Sequence, residues 1–448
     1  MKTSKDFTQG AILKPMLQFA VPVLAASLLQ SLYSAVDLMI VGRYGLAADV
    51  SGVNTGGQIM MTLTFFVTSF AMAVTILMGQ AIGEKKPEKA GEIIGTGIIM
   101  FAAMALVLTL FGFFGAEMLA NALNAPPEAF SQTVSYTKIC SAGFVFIVSY
   151  NILGAVFRGV GDSVMPLISV FIASIFNVAG DLFFVAELGM GAAGAAIATA
   201  MAQALSVVIS FFIIKRRAMP FELTRDKIRI NPLHSKKIVS LGVPLSLQDM
   251  LVSVSFMFLL AITNSRGVIV SAGVGIAEKL CGFIMLVPSA FSRSVSAFVS
   301  QNVGAKKPER ANKAMWYAIG VSLSIGVVIA WFTIFHGDIM CKIFTKDGEI
   351  IRRAWEYLKA YGIDTIFVCF LFCFTGYFNG RGKTVFTMAQ NILGSFAVRI
   401  PVAYVVAKTA GSTIFQIGLA TPISSLFQII LCLGYYIWLR NSDKKTNI

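Results

Sequence analysis

The chain has 448 residues, of which 56% are hydrophobic and only 13% charged, with a formal net charge of +14. Soluble domains run at roughly 45–50% apolar and 25% charged residues, so this apolar surplus is too large for one water-surrounded core and sets a soluble enzyme aside. Lys and Arg fall in short clusters between apolar runs rather than on one amphipathic stripe, which assigns them to a membrane surface and argues against nucleic acid as a partner.

Twelve stretches are long and apolar enough to cross roughly 30 Å of hydrocarbon as helices. In chain order they cover residues 14–41, 53–82, 91–115, 134–157, 164–186, 192–214, 238–262, 268–300, 313–335, 355–378, 385–407 and 412–439. Residues 1–14 are polar and the run after them is too long for a signal-peptide core, so no cleavable signal is expected. The long polar connection 215–237 carries Lys215, Arg216, Arg217, Arg225, Lys227, Arg229, Lys236 and Lys237. It divides the spans six and six, which gives an N-terminal lobe 1–214, a basic linker 215–237 and a C-terminal lobe 238–448. The fold class is therefore all-α, a polytopic membrane protein of two six-helix lobes. Basic residues collect on alternate loops, at Lys2 and Lys5, Lys85 to Lys89, Arg158, the linker, Lys306 to Arg310, Arg381 with Lys383, and Lys444 with Lys445. Cytoplasmic loops retain such charge, so this side and both termini are expected in the cytoplasm. The loop with Lys342, Lys346, Arg352 and Arg353 is the exception.

An internal repeat supports the two-lobe plan. Residues 80–90 (QAIGEKKPEKA) return at 301–311 (QNVGAKKPERA), a displacement of 221. Gly52-Val53 and Gly273-Val274 keep that displacement, as do Phe157, Gly159, Gly161 and Val164 against Phe378, Gly380, Gly382 and Val385, while Pro22 and Pro244 agree within one residue. Each copy holds an even number of spans, so both insert with the same orientation, and the space between two such lobes is where a transported substrate is expected.

Charges inside spans are costly, about 2.5–3.5 kcal/mol each at a helix centre, and so attract a functional reading. The first lobe has Asp37 and Asp181, both in the outer half of their spans. Asn177 precedes Asp181 by four residues on the same helix face, and Gln30, Tyr33 and Asp37 form a stripe on span one. Two acids and an amide suit a small cation; snorkelling of each Asp to the interface is the alternative. With Tyr150, Asn151 and Gln203, Gln30 and Tyr33 are candidates for a substrate cavity. The second lobe instead has Asp249, Glu278, Lys279, Arg293, Asp364 and Arg399, read as mutually neutralising structural charges, with Asp249 level with Arg293 and Asp364 level with Glu278 and Lys279. Pro22 and Pro244 interrupt spans one and seven and allow a bend. Two further signals carry no site. Gly380-Arg381-Gly382-Lys383-Thr384 lacks the first glycine of a phosphate loop, and His234 and His336 lie 102 residues apart in loops. Cys140, Cys281, Cys341, Cys369, Cys373 and Cys432 have no metal spacing and are read as packing residues. No catalytic group, metal cluster or cofactor is expected.

With these residues in view, the chain resembles the multidrug and toxic compound extrusion family over essentially its whole length. The segments that carry the resemblance are 21–45 (VPVLAASLLQSLYSAVDLMIVGRYG), 79–90 (GQAIGEKKPEKA), 157–166 (FRGVGDSVMP), 177–181 (NVAGD) and 300–311 (SQNVGAKKPERA). The resemblance implies a two-lobed antiporter that expels amphipathic, often cationic, organic compounds in exchange for sodium ions or protons. It places Asp37, Asn177 and Asp181 at the coupling-cation site and makes Pro22 a hinge in span one. Valines at 252 and 368 stand near the points where some branches carry second-lobe acids, which departs from that pattern. Flippases of lipid-linked or polysaccharide precursors share the architecture and remain the alternative. A multi-pass, monomeric protein of the cell membrane is expected, with the bilayer and its small-molecule substrates as partners. Cysteine-accessibility labelling is expected to find Lys86→Cys, Arg225→Cys and Lys444→Cys reactive from the cytoplasm and Asp347→Cys reactive from outside; a linker reactive only from outside would reverse the topology.

Overall fold

The computed structural model describes residues 6–216 and 219–445. Lys2, Lys5 and Arg217, counted above among the basic loops, lie outside the described residues. Among the described residues all regular structure is helical. In chain order the long helices are α1 (Leu13–Tyr44), α2 (Ala47–Gly83), α3 (Pro87–Phe114), α4, α5 (Val164–Glu187), α6 (Gly191–Arg216), α7 (Pro232–Asn264), α8 (Val268–Gly304), α9 (Pro308–Cys341), α10 (Gly348–Gly380), α11 (Thr384–Lys408) and α12 (Ile414–Lys445). The fourth, α4, is the pair Pro127–Ala142 and Phe144–Gly159, bent by 51°. Taken as one span it brings the total to 12, in agreement with the apolar runs.

The repeat is visible in how helices end. Lys85 and Lys306, 221 apart, both adopt the left-handed conformation (φ 57° and 55°), as do Gly161 and Gly382 (φ 81° and 74°). After each of them a backbone N–H reaches back five residues: Lys86 to Ala81 O (3.1 Å), Lys307 to Asn302 O (2.8 Å), Asp162 to Phe157 O (2.9 Å) and Lys383 to Phe378 O (2.8 Å). This closure satisfies carbonyls that a helix end would otherwise leave orphaned. Pro87 and Pro308 then open the next helices, where their missing N–H costs nothing. Close helix crossings repeat as well. A Cβ on Gly52 would stand 2.6 Å from Gln132 Cβ, and one on Gly273 2.9 Å from Arg353 Cβ, so both crossings need glycine.

Contacts group the chain into two compact units, Val21–Val243 and Phe7–Ala20 with Pro244–Ile448. The changes of unit fall beside Pro22 in α1 and at Pro244 in α7, both inside continuous helices. In lipid, helices gain little from hiding apolar surface from one another and associate through close packing of small residues. Accordingly Ala71, Ala73, Ala155, Ala195 and Ala196 of the first unit are fully buried around Val67, Val74 and Phe144. In the second unit Val274, Ala277, Tyr357, Leu358 and Ile417 form the corresponding core.

One difference between the repeats fixes the N-terminal segment. In the first copy Glu84 takes Lys89 (2.7 Å) and Lys86 (3.5 Å). Desolvation pushes the Glu84 carboxyl upward, but the Lys89 hydrogen bond and charge prevail and hold it below its ordinary range. The second copy has Ala305 at that place, which releases Lys307 and Arg310. Arg310 donates to the carbonyls of Phe7, Gln9, Gly10 and Ala11 at 2.7–3.1 Å, and Lys307 donates to Thr8 O at 2.8 Å. Phe7, 1% exposed, stacks on Phe298 at 5.1 Å. A hydrogen bond from a charged donor contributes about 1.5–3 kcal/mol. Arg310→Ala is therefore expected to lower the apparent Tm on the order of 5 °C and to open residues 7–12 to protease, whereas Lys89→Ala, which removes a partly exposed ion pair, costs less. Equal melting of the two variants would count against the strap.

Candidate functional site

Asp37 on α1 and Asn177 and Asp181 on α5 come together inside the first unit, 7%, 1% and 0% exposed. The two helices bring the carboxyl groups of Asp37 and Asp181 within hydrogen-bonding reach of each other. Neither acid has a protein donor where one is needed: Asp37 Oδ1, both Asp181 carboxyl oxygens and Asn177 Oδ1 are buried without a hydrogen-bond partner. Asn177 Nδ2 donates to Thr199 Oγ1 of α6 at 3.4 Å, which leaves the amide oxygen as the group without a partner. Four buried acceptor oxygens without a donor are an unstable arrangement in a low dielectric unless a proton or cation joins them. All donor atoms are hard oxygens, the set that suits an alkali cation or a proton rather than a soft metal. Among the described residues no group of three or more His, Cys, Asp or Glu could hold a metal ion. Directly after Asp181 the α5 helix widens into a π-helical turn, Leu182–Glu187, a distortion frequent at functional sites.

Beside this cluster lies a small pocket lined by Gln30 and Tyr33 of α1, Tyr150 of α4, Asn177 of α5 and Thr199, Gln203 and Ser206 of α6. Tyr33 lies beside Gln203 and within electrostatic range of Asp37 and Tyr150. Four of the five cavity candidates therefore share one wall. Asn151 does not, because the next residue on a helix points about 100° away. Its amide donates to Ile147 O (2.9 Å) and accepts from Thr68 Oγ1 of α2 (3.3 Å). Thr199 and Ser206 were not singled out in the sequence, yet Thr199, Gln203 and Ser206 follow helical spacing on one face of α6, a signal hidden by the surrounding alanines.

The second-unit charges at the depth of Asp364 do not close into ion pairs with it. Glu278, Lys279, Asp364 and Arg399 make no ion pair with one another within 4.0 Å. Asp364, 1% exposed, lies beside Ser425 and within electrostatic range of Arg399, and its Oδ1 has no hydrogen-bond partner. Arg399, 6% exposed, donates to Ser255 Oγ at 3.0 Å and lies over the Phe256 ring at 4.4 Å. Asp249, Lys279 and Arg293 are exposed, and Glu278 turns one carboxyl oxygen inward without a donor.

The MatE family's sequence profile matches residues 22–183 and again 244–405. The chain is 25% identical over 432 residues to the "Probable multidrug resistance protein YpnP" of Bacillus subtilis (strain 168), covering 96% of each protein. It is 24% identical to the "Probable multidrug resistance protein YoeA" of the same organism, over 96% of this chain and 95% of that one. Its fold matches a crystal structure of MATE in the bent conformation with a TM-score of 0.93 and 18% identity, covering 100% of this chain and 99% of the other. Two copies of the family profile, each starting at the proline where the units change, together take in most of the chain, and the chain accordingly belongs to the MatE family of multidrug and toxic compound extrusion transporters.

Proposed function

We propose that this protein is an antiporter that exports amphipathic, often cationic, organic compounds in exchange for an entering monovalent cation, sodium or proton, bound by Asp37, Asn177 and Asp181. The observation that carries this reading is the facing pair of buried acids whose oxygens have no protein donor. The names of its Bacillus subtilis relatives, both multidrug resistance proteins, point the same way. The polar and aromatic cavity of Gln30, Tyr33, Tyr150 and Gln203 shares Asn177 with the cation site, so a substrate held there competes with the cation for one wall. Cation entry supplies the energy, about 2.3 kcal/mol per unit charge per 100 mV before any concentration term. Binding between α1 and α5 removes the repulsion of the two acids, and a bend at Pro22 is the response that changes access from one side to the other. In this reading the protein acts as a monomer in the cell membrane with both termini in the cytoplasm, and no cofactor beyond the coupling ion takes part.

A ligand shifts a conformational balance only by its differential affinity, so cation and substrate must weaken each other reciprocally. In liposomes, dye efflux is expected under a sodium gradient or a proton gradient applied separately. Asp37→Asn and Asp181→Asn are expected to abolish it without loss of membrane insertion; normal efflux from both variants removes the pair from the mechanism. Equilibrium dye binding to the purified protein is expected to weaken as the coupling cation rises, and Asp37→Asn to flatten that dependence. Binding unchanged across pH and sodium concentration in the native protein would reject competition.

A further inference from the structure

The segment between α6 and α7 is clipped by its backbone to the first turns of α3. A Cβ on Gly91 would collide with the carbonyl oxygen of Glu222, and one on Gly95 with that of Lys227, so only glycine admits the crossing. The Glu222 N–H donates to Pro87 O at 3.3 Å. Thr96 Oγ1 donates to Arg229 O at 3.1 Å and accepts the Asn231 N–H at 3.3 Å. Glu92 Oε2 accepts the Asn231 side-chain amide at 3.3 Å and meets His234 Nε2 at 3.0 Å. Met219 and Phe221 pack against the core of the first unit.

With its backbone bound to α3, the segment leaves two kinds of side chain exposed. Arg225, Arg229, Lys236 and Lys237 are one kind. Leu223, Ile228, Ile230 and Leu233 are the other, at 39%, 41%, 59% and 59% exposure. The acids of the stretch are Glu222, paired with Lys227 at 3.4 Å, and Asp226, so basic charge prevails. Large aliphatic side chains interleaved with cations suit a headgroup interface, which solvates both, better than bulk water.

Helix length gives the depth. The 28 residues of α3 extend roughly 42 Å, against a hydrocarbon core of roughly 30 Å. At its far end Leu110, Phe111, Phe113 and Phe114 are apolar and exposed, which seats that end in hydrocarbon. The excess of roughly 12 Å therefore lies at the Pro87 end and reaches about as far as Gly95, where the linker crosses. The clip thus holds the linker at the level of the lipid headgroups.

We propose that this linker is a binding surface for acidic phospholipids, with Arg225, Arg229, Lys236 and Lys237 taking the lipid phosphates. Leu223, Ile228, Ile230 and Leu233 seat between the headgroups. Anionic lipid complements the charge of the segment, and each arginine offers a phosphate two parallel N–H donors. Because the same segment is clipped to α3 and opens α7, lipid bound there holds the start of both helices at the membrane surface.

The test labels Ile230→Cys of the full-length protein with an environment-sensitive fluorophore; the six natural cysteines are buried and stay unlabelled. The protein is reconstituted into phosphatidylcholine vesicles and into vesicles of equal phosphatidylcholine and phosphatidylglycerol, each containing a lipid spin-labelled near the headgroup. Quenching is expected to be about twofold or more greater with phosphatidylglycerol and to fall back in high salt, which screens exposed charge. Joint replacement by Arg225→Gln, Arg229→Gln, Lys236→Gln and Lys237→Gln is expected to remove the difference. Arg225→Lys with Arg229→Lys is expected to keep it, which separates loss of charge from a folding defect. Equal quenching in the two lipids, a difference untouched by the four neutral replacements, or its loss in the lysine variant as well overturns the inference. So does a label unquenched in both lipids because a second copy of the chain covers this face in a concentration-dependent dimer.

Discussion

Two acids held face to face in a helix bundle, with no donor for their oxygens, are the constraint to which the first unit is built. Asp37 arrives on α1 and Asp181 on α5, and Thr199 of α6 takes the amide N–H of Asn177, one turn before Asp181, leaving its oxygen unpartnered as well. The site thus needs three helices in register, and α6 can come close because its first turns are glycine and alanine. A charged pair of this kind would be expelled from lipid; inside the bundle it persists as a demand for a proton or cation. That demand is what links ion entry to a change of shape in the proposed cycle.

The backbone of the two repeats is far more alike than their chemistry. Left-handed closures at Lys85 and Lys306 and at Gly161 and Gly382 coincide, and so do the tight crossings at Gly52 and Gly273. At the displacement of 221 kept by Gly161 with Gly382 and Val164 with Val385, Asn177 and Asp181 fall opposite Val398 and Val402, beside Arg399. Where the first copy leaves oxygens unsatisfied, the second carries a buried guanidinium anchored by Ser255 and Phe256. Loss of Glu84 at Ala305 redirects Lys307 and Arg310 to the N-terminal strap. Backbone geometry is kept because every turn must satisfy its own hydrogen bonds in or near lipid. Side chains facing cavities are free of that constraint, and there the copies diverge.

The change of unit at Pro22 and Pro244 gives those prolines a structural setting. Each helix continues through its proline, yet the residues before it pack with a different unit from those after it. Proline removes one intrahelical hydrogen bond at that point, so bending there costs less than elsewhere. The strap at Phe7 holds the segment before Pro22 to the second unit, which makes that stretch of α1 a fixed lever rather than a loose end.

Spans and repeat were legible in the sequence because each rests on local information. Twenty apolar residues must cross the bilayer as helix, and the segments 85–88 and 306–309 share the same four residues. The grouping of Asp37, Asn177 and Asp181 was legible for a related reason, since charges are rare enough in lipid for three polar residues at similar depth to stand out. What depth could not supply was rotation. Asp364 lies beside Ser425 without an ion pair to Lys279, Asn151 turns toward Thr68 while adjacent Tyr150 faces the cavity, and Thr199 becomes the partner of Asn177. The grouping of residues into units changes within α1 and α7, beside Pro22 and at Pro244, which composition does not show. Composition reports how polar a segment is; which neighbour each side chain meets depends on the rotation and crossing of whole helices, set by small-residue contacts far apart in the chain and decided only when the bundle packs.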